Sequence, residues 1–160
     1  LATKHNTNHY FQTFLNALNF QPIEYQGGLI PVYNRKQIVQ KNNIGLIGDA
    51  ACLVKSTTGG GLVPGLESAR ILANCISNNK LNNYPRAIKN LGFQLYLHNI
   101  LRNTLDNFSD KDYVHLIEQM KKPAVHNILR DGNRDFPTRM LIKLAAVNPG
   151  FFSFIKKVQF

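Results

Sequence analysis

At 160 residues and 18.1 kDa, with 44% hydrophobic side chains, the chain is long enough to build one domain around a core. Its net charge of +10 is spread out, with 7 Lys and Arg against 3 acids in residues 1–80 and 12 against 6 in residues 81–160, so there is no basic tail. No stretch approaches the roughly 18 consecutive apolar residues of a membrane span, and Cys52 and Cys75 are too few and too far apart for a disulfide scaffold or a zinc site, which fits a reducing cytoplasm. A positive field of this kind suits nucleic acid, an anionic membrane surface or phosphate-bearing ligands. No nucleic-acid motif and no basic patch interleaved with stacking aromatics is present, which argues against nucleic acid as a partner. The first residue, Leu1, is not an initiator methionine and no signal-peptide pattern follows it, so the chain is expected to be a fragment of a longer one.

In chain order, Tyr10, Phe11, Phe14, Leu15 and Leu18 recur at helical spacing and predict a short amphipathic helix over 8–18. Residues 23–33, IEYQGGLIPVY, predict a strand pair or a bent strand, with Gly27 and Gly28 allowing a bulge or tight turn. The polar connection NRKQIVQKNN has room for a short strand at its centre, and residues 44–48 predict a short buried strand. From Leu62 to about Ile76, the stripe Leu62, Leu66, Ala69, Ala73, Ile76 predicts a helix facing the core. Three further helices are expected: 84–107, with Phe93, Leu97, Ile100, Leu101, Thr104 and Leu105 on one face; 110–121, with Asp110 as N-cap; and a broken one over about 137–147. The chain is thus expected to be α+β or α/β, a few strands followed by a mainly helical region. Its division is expected near residue 82, with 1–82 carrying the binding site and 83–160 forming the helical part.

The stretch GLIGDAACLVKSTTGGG, residues 45–61, concentrates the chemistry. A strand ending at Asp49 places a carboxylate where open α/β sheets commonly bind ligands, able to accept hydrogen bonds from hydroxyls. Gly59, Gly60 and Gly61 let backbone approach a ligand with no Cβ in the way. The helix opening at Leu62, with Pro64 in its first turn, points a partial positive charge and free N–H groups at the same place. The spacing is neither a Walker loop nor a Rossmann fingerprint, since Pro64 stands where the third glycine would fall. On residues alone, a site for a polyhydroxylated, anion-bearing ligand and a plain strand-to-helix connection both stay open.

Residues 44–73, IGLIGDAACLVKSTTGGGLVPGLESARILA, resemble the second flavin-binding motif of the para-hydroxybenzoate hydroxylase-like flavoproteins, whose hallmark is a strand ending Gly-Asp-Ala-Ala. The Thr-Thr-Gly-Gly-Gly version, with GGLIP (Gly27 to Pro31) upstream, resembles the geranylgeranyl reductase family in particular. The resemblance implies FAD as cofactor, with Gly48 and Asp49 at the ribityl chain, Gly61 and Leu62 at the flavin ring, and Gly59 and Gly60 shaping the approach. It implies a FAD-dependent oxidoreductase reducing isoprenoid double bonds in membrane-lipid biosynthesis, with a prenylated lipid as substrate and ferredoxin or a nicotinamide as electron donor. It implies a cytoplasmic enzyme, peripheral at the membrane, whose catalytic residues are not assigned. The chain departs from the family at Cys52, where glycine is usual, and holds no GxGxxG segment for the FAD pyrophosphate. The isolated 160 residues are therefore expected to be inactive and free of stoichiometric FAD. The alternatives are another flavoenzyme of the same fold, a monooxygenase or quinone-linked dehydrogenase, and a non-catalytic basic module that binds a membrane or a partner.

Among the other candidates, His5 and His9 stand four apart but lack a zincin Glu and a third ligand, so no metal site is expected. His98, His115 and His126 read as surface or partly packed residues, Cys75 as core, and Lys55 as a solvated loop lysine in preference to one that reaches a phosphate. Asp106, Asp110 and Asp112 read as a helix-to-helix junction. Phe151, Phe152, Phe154, Ile155 and Phe160, around Lys156 and Lys157, are expected to pack on the preceding helices in preference to a membrane or prenyl chain.

Overall fold

The computed structural model describes residues 6–157, apart from the side chains of Phe152, Ile155, Lys156 and Lys157. His5 and Phe160 lie outside the described residues. Helix α1 (Thr7–Leu18) is closed by Asn19 at φ 54°, a left-handed residue whose N–H returns to the carbonyls of Leu15 and Asn16. Only Leu15 of its apolar stripe is buried, and Phe11 meets Tyr25 edge-on at 6.1 Å. The expected strand over 23–33 is absent from the described structure: this segment runs without a ladder partner, and Asn99 holds it by donating to the Tyr33 carbonyl at 2.9 Å.

Strands β1 (Gln40–Lys41) and β2 (Ile44–Gly45) form an antiparallel pair, Gln40 opposite Gly45 and Lys41 opposite Ile44, turning through Asn42 at φ 52°. This replaces the expected buried strand over 44–48. Ile44 is exposed, and beyond Gly45 the chain leaves the ladder after one more bond, from Leu46 N–H to the Val39 carbonyl at 2.8 Å. Gly45 abuts Leu72, whose Cδ1 would lie 2.7 Å from a Cβ at that position, which seats the hairpin on the following helix.

Helix α2 (Leu62–Ser77) turns its sequence stripe outward. Leu62 is 77% and Leu66 64% exposed, while Pro64, Ser68 and Cys75 are buried, flanked by Ile71 and Leu72. The helix is apolar on two sides, and periodicity detects both. The side that packs is the one bearing Pro64, Ser68 and Cys75, where Ser68 Oγ accepts the Gly48 N–H at 3.2 Å and Cys75 joins the core.

The expected helix over 84–107 is divided into α3 (Tyr84–Ala87) and α4 (Lys89–Asp106) at Ile88. Leu91, Leu95 and His98 carry its buried face, with Leu97, Leu101 and Leu105 partly buried and Phe93 half exposed. Helix α5 (Asp110–Met120) begins one residue later than its cap: Ser109, not Asp110, is the N-cap. Its hydroxyl accepts from the Asp112 N–H while its own N–H donates to the Asp112 carboxylate at 2.8 Å, a capping box. An additional helix, α6 (Pro123–Asp131), opens on Pro123 and buries Val125, and α7 (Thr138–Val147) buries Leu144. A final 3-10 segment, Pro149–Lys157, brings Phe154 onto Phe108 in a stacked contact at 5.0 Å and beside His115 at 5.4 Å.

Ala51, Leu53, Cys75, Tyr84, Ile88, Leu91 and Leu95 form the main core, with Tyr33, Val39, Leu46, Ile71, Leu72, Leu81 and Phe136 around it. The cluster thus draws on both sides of residue 82. Burying a side chain of this size contributes about 1.5–3 kcal/mol, so the loop from Ala51 to Val54 is held by its apolar residues before any polar contact is counted. No helix among the described residues is long and apolar enough to cross a membrane.

Candidate functional site

The chain around Asp49 is a 3-10 turn, Gly48–Ala51, packed on the first turns of α2. Gly48 has φ 54°, a conformation in which an L side chain costs about 1–2 kcal/mol. Its N–H donates to Ser68 Oγ at 3.2 Å, and that hydroxyl donates to the Gly65 carbonyl at 2.7 Å. A Cβ on Gly48 would lie 3.7 Å from the Gly65 Cα, and the converse distance is the same. The glycine pair and the fully buried Ser68 therefore fix the turn against the helix. From below, the Tyr84 hydroxyl donates to the Leu46 carbonyl at 2.8 Å and fixes the approach to the turn.

Asp49 is exposed, and its carboxylate sits at the N-terminus of α2: a Cβ on Gly61, the N-cap, would lie 2.7 Å from Asp49 Oδ1. A Cβ at 61 would push this exposed carboxylate aside from its place at the helix end. No side chain caps α2, so its opening N–H groups, Leu62 first, keep the donor capacity and partial positive charge of a free helix end. A carboxylate acceptor and a helix N-terminus thus stand side by side on the surface.

Gly59 and Gly60 play a different part from Gly61. The loop Lys55–Gly60 is a tight hairpin: Lys55 N–H donates to the Gly60 carbonyl at 3.1 Å and Gly59 N–H to the Lys55 carbonyl at 2.8 Å. Gly60 N–H donates to Thr58 Oγ1 at 3.3 Å. Gly59 has φ 68°, and a Cβ there would meet Ile30 Cδ1 at 3.3 Å, so the Gly27-to-Pro31 segment lies against the glycine loop. Cys52 has φ 54°, the left-handed region that glycine favours.

The loop is fastened to the helical half at two points. Lys55 is not solvated: its ammonium forms a mostly buried ion pair with Asp135, from the connection before α7. Thr57 Oγ1 and His98 Nδ1 are hydrogen-bonded at 2.8 Å. His98, expected at the surface or partly packed, is buried at 4% exposure, and its Nε2 has no hydrogen-bond partner. Burial pushes the His98 pKa down. The backbone of Asp135 opposes this, and the Lys55 charge adds to it. The pairings of His98 with Thr57 and of Asp135 with Lys55 are not legible in the sequence because nothing local marks a partner 41 or 80 residues away.

The structure therefore brings Gly48, Asp49, Gly61 and Leu62 together at one helix end and uses Gly59 and Gly60 to shape the adjoining loop. None of the six lines either of two cavities found among the described residues. The larger, about 600 Å³, lies among α4, α6 and α7, and the smaller, about 400 Å³, is bounded by Tyr33 and the start of α4. No group of three or more His, Cys, Asp or Glu that could hold a metal ion occurs among the described residues. No family model, no curated protein and no solved structure matches the chain.

Proposed function

We propose that this chain is the C-terminal part of a FAD-dependent oxidoreductase that reduces isoprenoid carbon–carbon double bonds, with a prenylated lipid as substrate and a ferredoxin or nicotinamide as electron source. The observation that carries the proposal is the seating of the Asp49 carboxylate at the uncapped N-terminus of α2, close against Gly61. Two further features support it. Ile30 of the GGLIP segment rests on Gly59 of the Thr-Thr-Gly-Gly-Gly loop, so the two motifs that share the resemblance are neighbours. Cys52, which replaces the family's glycine, holds the backbone conformation that glycine favours.

In this reading, Asp49 accepts hydrogen bonds from the ribityl hydroxyls. The open end of α2 at Gly61 and Leu62 faces negative charge on the ring with its partial positive charge. Gly48 and Ser68 hold the Asp49 turn at the helix, and the Lys55–Asp135 pair holds the glycine loop. Bound FAD would supply the hydride chemistry, leaving the chain to bind and orient. The remainder of a FAD site, including a pyrophosphate grip, would come from outside these 160 residues.

A hydrogen bond to a charged acceptor is worth about 1.5–3 kcal/mol, so Asp49→Ala in the intact protein is expected to weaken FAD binding by about 10- to 100-fold. Unchanged affinity in a flavin fluorescence titration removes Asp49 from the site. The reaction class is tested separately, under anaerobic conditions with reduced FAD and a geranylgeranyl lipid. Mass gains in steps of two hydrogens without oxygen are expected, whereas oxygen-dependent hydroxylation of an aromatic would hand the assignment to a monooxygenase.

A further inference from the structure

The 400 Å³ cavity is lined by Tyr33, Arg35, Lys89, Gly92, Phe93 and Tyr96, and it lies apart from the Asp49 site. Its size falls within the range of small-ligand sites. Two of its lining residues are cations and none is an acid. Both stretches of chain that build it lack acids altogether: residues 25–48 carry Arg35, Lys36 and Lys41, and residues 68–105 carry Arg70, Lys80, Arg86, Lys89 and Arg102, with no Asp or Glu in either. Neither Arg35 nor Lys89 has an ion-pair partner among the described residues. The positive charge at this cavity is therefore not answered locally by the protein.

The walls are equally specific. The Arg35 guanidinium lies over the Tyr96 ring, 4.9 Å from its centroid. Stacking holds the guanidinium plane while leaving its N–H groups to fork onto an oxyanion. Gly92 stands inside α4, where glycine costs about 1 kcal/mol relative to alanine; a Cβ there would collide with the Tyr33 hydroxyl, so the glycine is what lets Tyr33 lie against the helix. Burial pushes the Tyr33 phenol up from its ordinary 10.0, against the pull of Arg35. Phe93 is half exposed at the rim, an apolar ring with no covering partner.

We propose that this cavity is a binding site for a phosphate monoester carried on an apolar or aromatic body, the phosphate held by Arg35 and Lys89 and the body lying against Phe93 and Tyr96. Two cations in one cavity match a dianion better than a monoanion, and the bidentate fork of arginine matches phosphate oxygens. The proposal does not depend on the flavin reading, because no residue is shared between the two sites.

The test uses the full 160-residue chain, with the Gly92 and Phe93 amide resonances as reporters and phenyl phosphate and inorganic phosphate as probes. Phenyl phosphate is expected to shift both amides saturably and to bind about tenfold or more tightly than inorganic phosphate. Arg35→Gln with Lys89→Gln should weaken it by about tenfold or more, whereas Phe93→Ala should weaken phenyl phosphate and leave inorganic phosphate unchanged. Both cations are exposed, so the double variant should keep the wild-type circular dichroism spectrum and melting temperature. The exposed pair Lys80→Gln with Arg86→Gln serves as control. Phosphatidylcholine vesicles with and without phosphatidic acid separate a lipid headgroup from a soluble ester: binding that needs phosphatidic acid and is lost in the Arg35 and Lys89 variant assigns the site to a headgroup, and phenyl phosphate binding without it assigns a soluble ester. The proposal is overturned if neither probe shifts the reporters, if inorganic phosphate binds as tightly as phenyl phosphate, or if the control pair weakens binding as much as the cavity pair.

Discussion

Replacing Tyr84 with Phe removes one oxygen atom from a residue with no exposed surface and leaves its ring in place, so no cavity opens. What is lost is the 2.8 Å hydrogen bond to the Leu46 carbonyl, two residues before Gly48. A buried carbonyl left without its partner costs about 1–3 kcal/mol. Taking about 1.5 kcal/mol as the central value, a chain of this size should melt about 3–6 °C lower, at about 2–4 °C per kcal/mol. The measurement is a thermal melt by circular dichroism, paired with a urea titration in which the midpoint falls at constant slope. Alkaline pH supplies a second, independent reading. Burial pushes the Tyr84 phenol from its ordinary 10.0 to about 12, the nearby Ser68 hydroxyl opposing. Between those values the unfolded chain gives up the phenolic proton and the folded chain keeps it, so wild-type stability falls as pH rises through this window. Tyr84→Phe should lack that component. A variant with the wild-type melting temperature and the wild-type alkaline slope would refute the assignment of this hydroxyl as the anchor of the Asp49 turn.

Protonation of His98 should be felt at the acid side: its pKa is lowered in the fold, so as pH falls below the ordinary value near 6.5 the unfolded chain binds a proton the folded chain refuses, and stability falls. One group limits the slope to about 1.4 kcal/mol per pH unit, and urea midpoints from pH 7.5 to 5.5 should show the decline in wild type and not in His98→Gln. Two left-handed positions should respond with opposite signs. Gly48→Ala forces a Cβ into φ 54° and should destabilise by about 1–2 kcal/mol, while Cys52→Gly, at the same φ, should relieve strain and stabilise by up to about 1 kcal/mol. Melting temperatures of the two variants check both, and a loss at each position would refute the backbone-strain account.

The helices were legible because their signals are local. The spacing of Phe11, Leu15 and Leu18, and the long apolar pattern that became α3 and α4, lie within a few turns of chain, and residues three or four apart share a face whatever else the protein does. Gly48, Asp49, Gly61 and Leu62 were legible as neighbours for a similar reason, since a short turn and loop join them to one helix end. Helix α6, nine residues opening on Pro123, was missed because it is short: its stripe of Val125, Ile128 and Leu129 spans little more than one turn. The short strand was overread because β-pairing depends on a partner. Residues 44–48 are apolar enough for a strand, but only Ile44 and Gly45 find Gln40 and Lys41 opposite them.

By itself the sequence determined most of the helical segments, the glycines that take positive φ at 48 and 59, and the excess of positive charge. Only the tertiary structure decided which side of α2 meets the core, because two apolar faces on one helix are equivalent until partners distant in sequence, here the Gly48 turn on Ser68 and the core cluster around Cys75, select one. It alone joined Lys55 to Asp135 and Thr57 to His98, turning a loop that reads as solvated into one tied to the helical half. It alone brought Arg35 and Lys89 to one cavity across more than fifty residues of chain. Local periodicity carries no information about such pairs: their partners are selected by the packing of the whole chain, in which burying a face or answering a charge depends on what arrives from elsewhere.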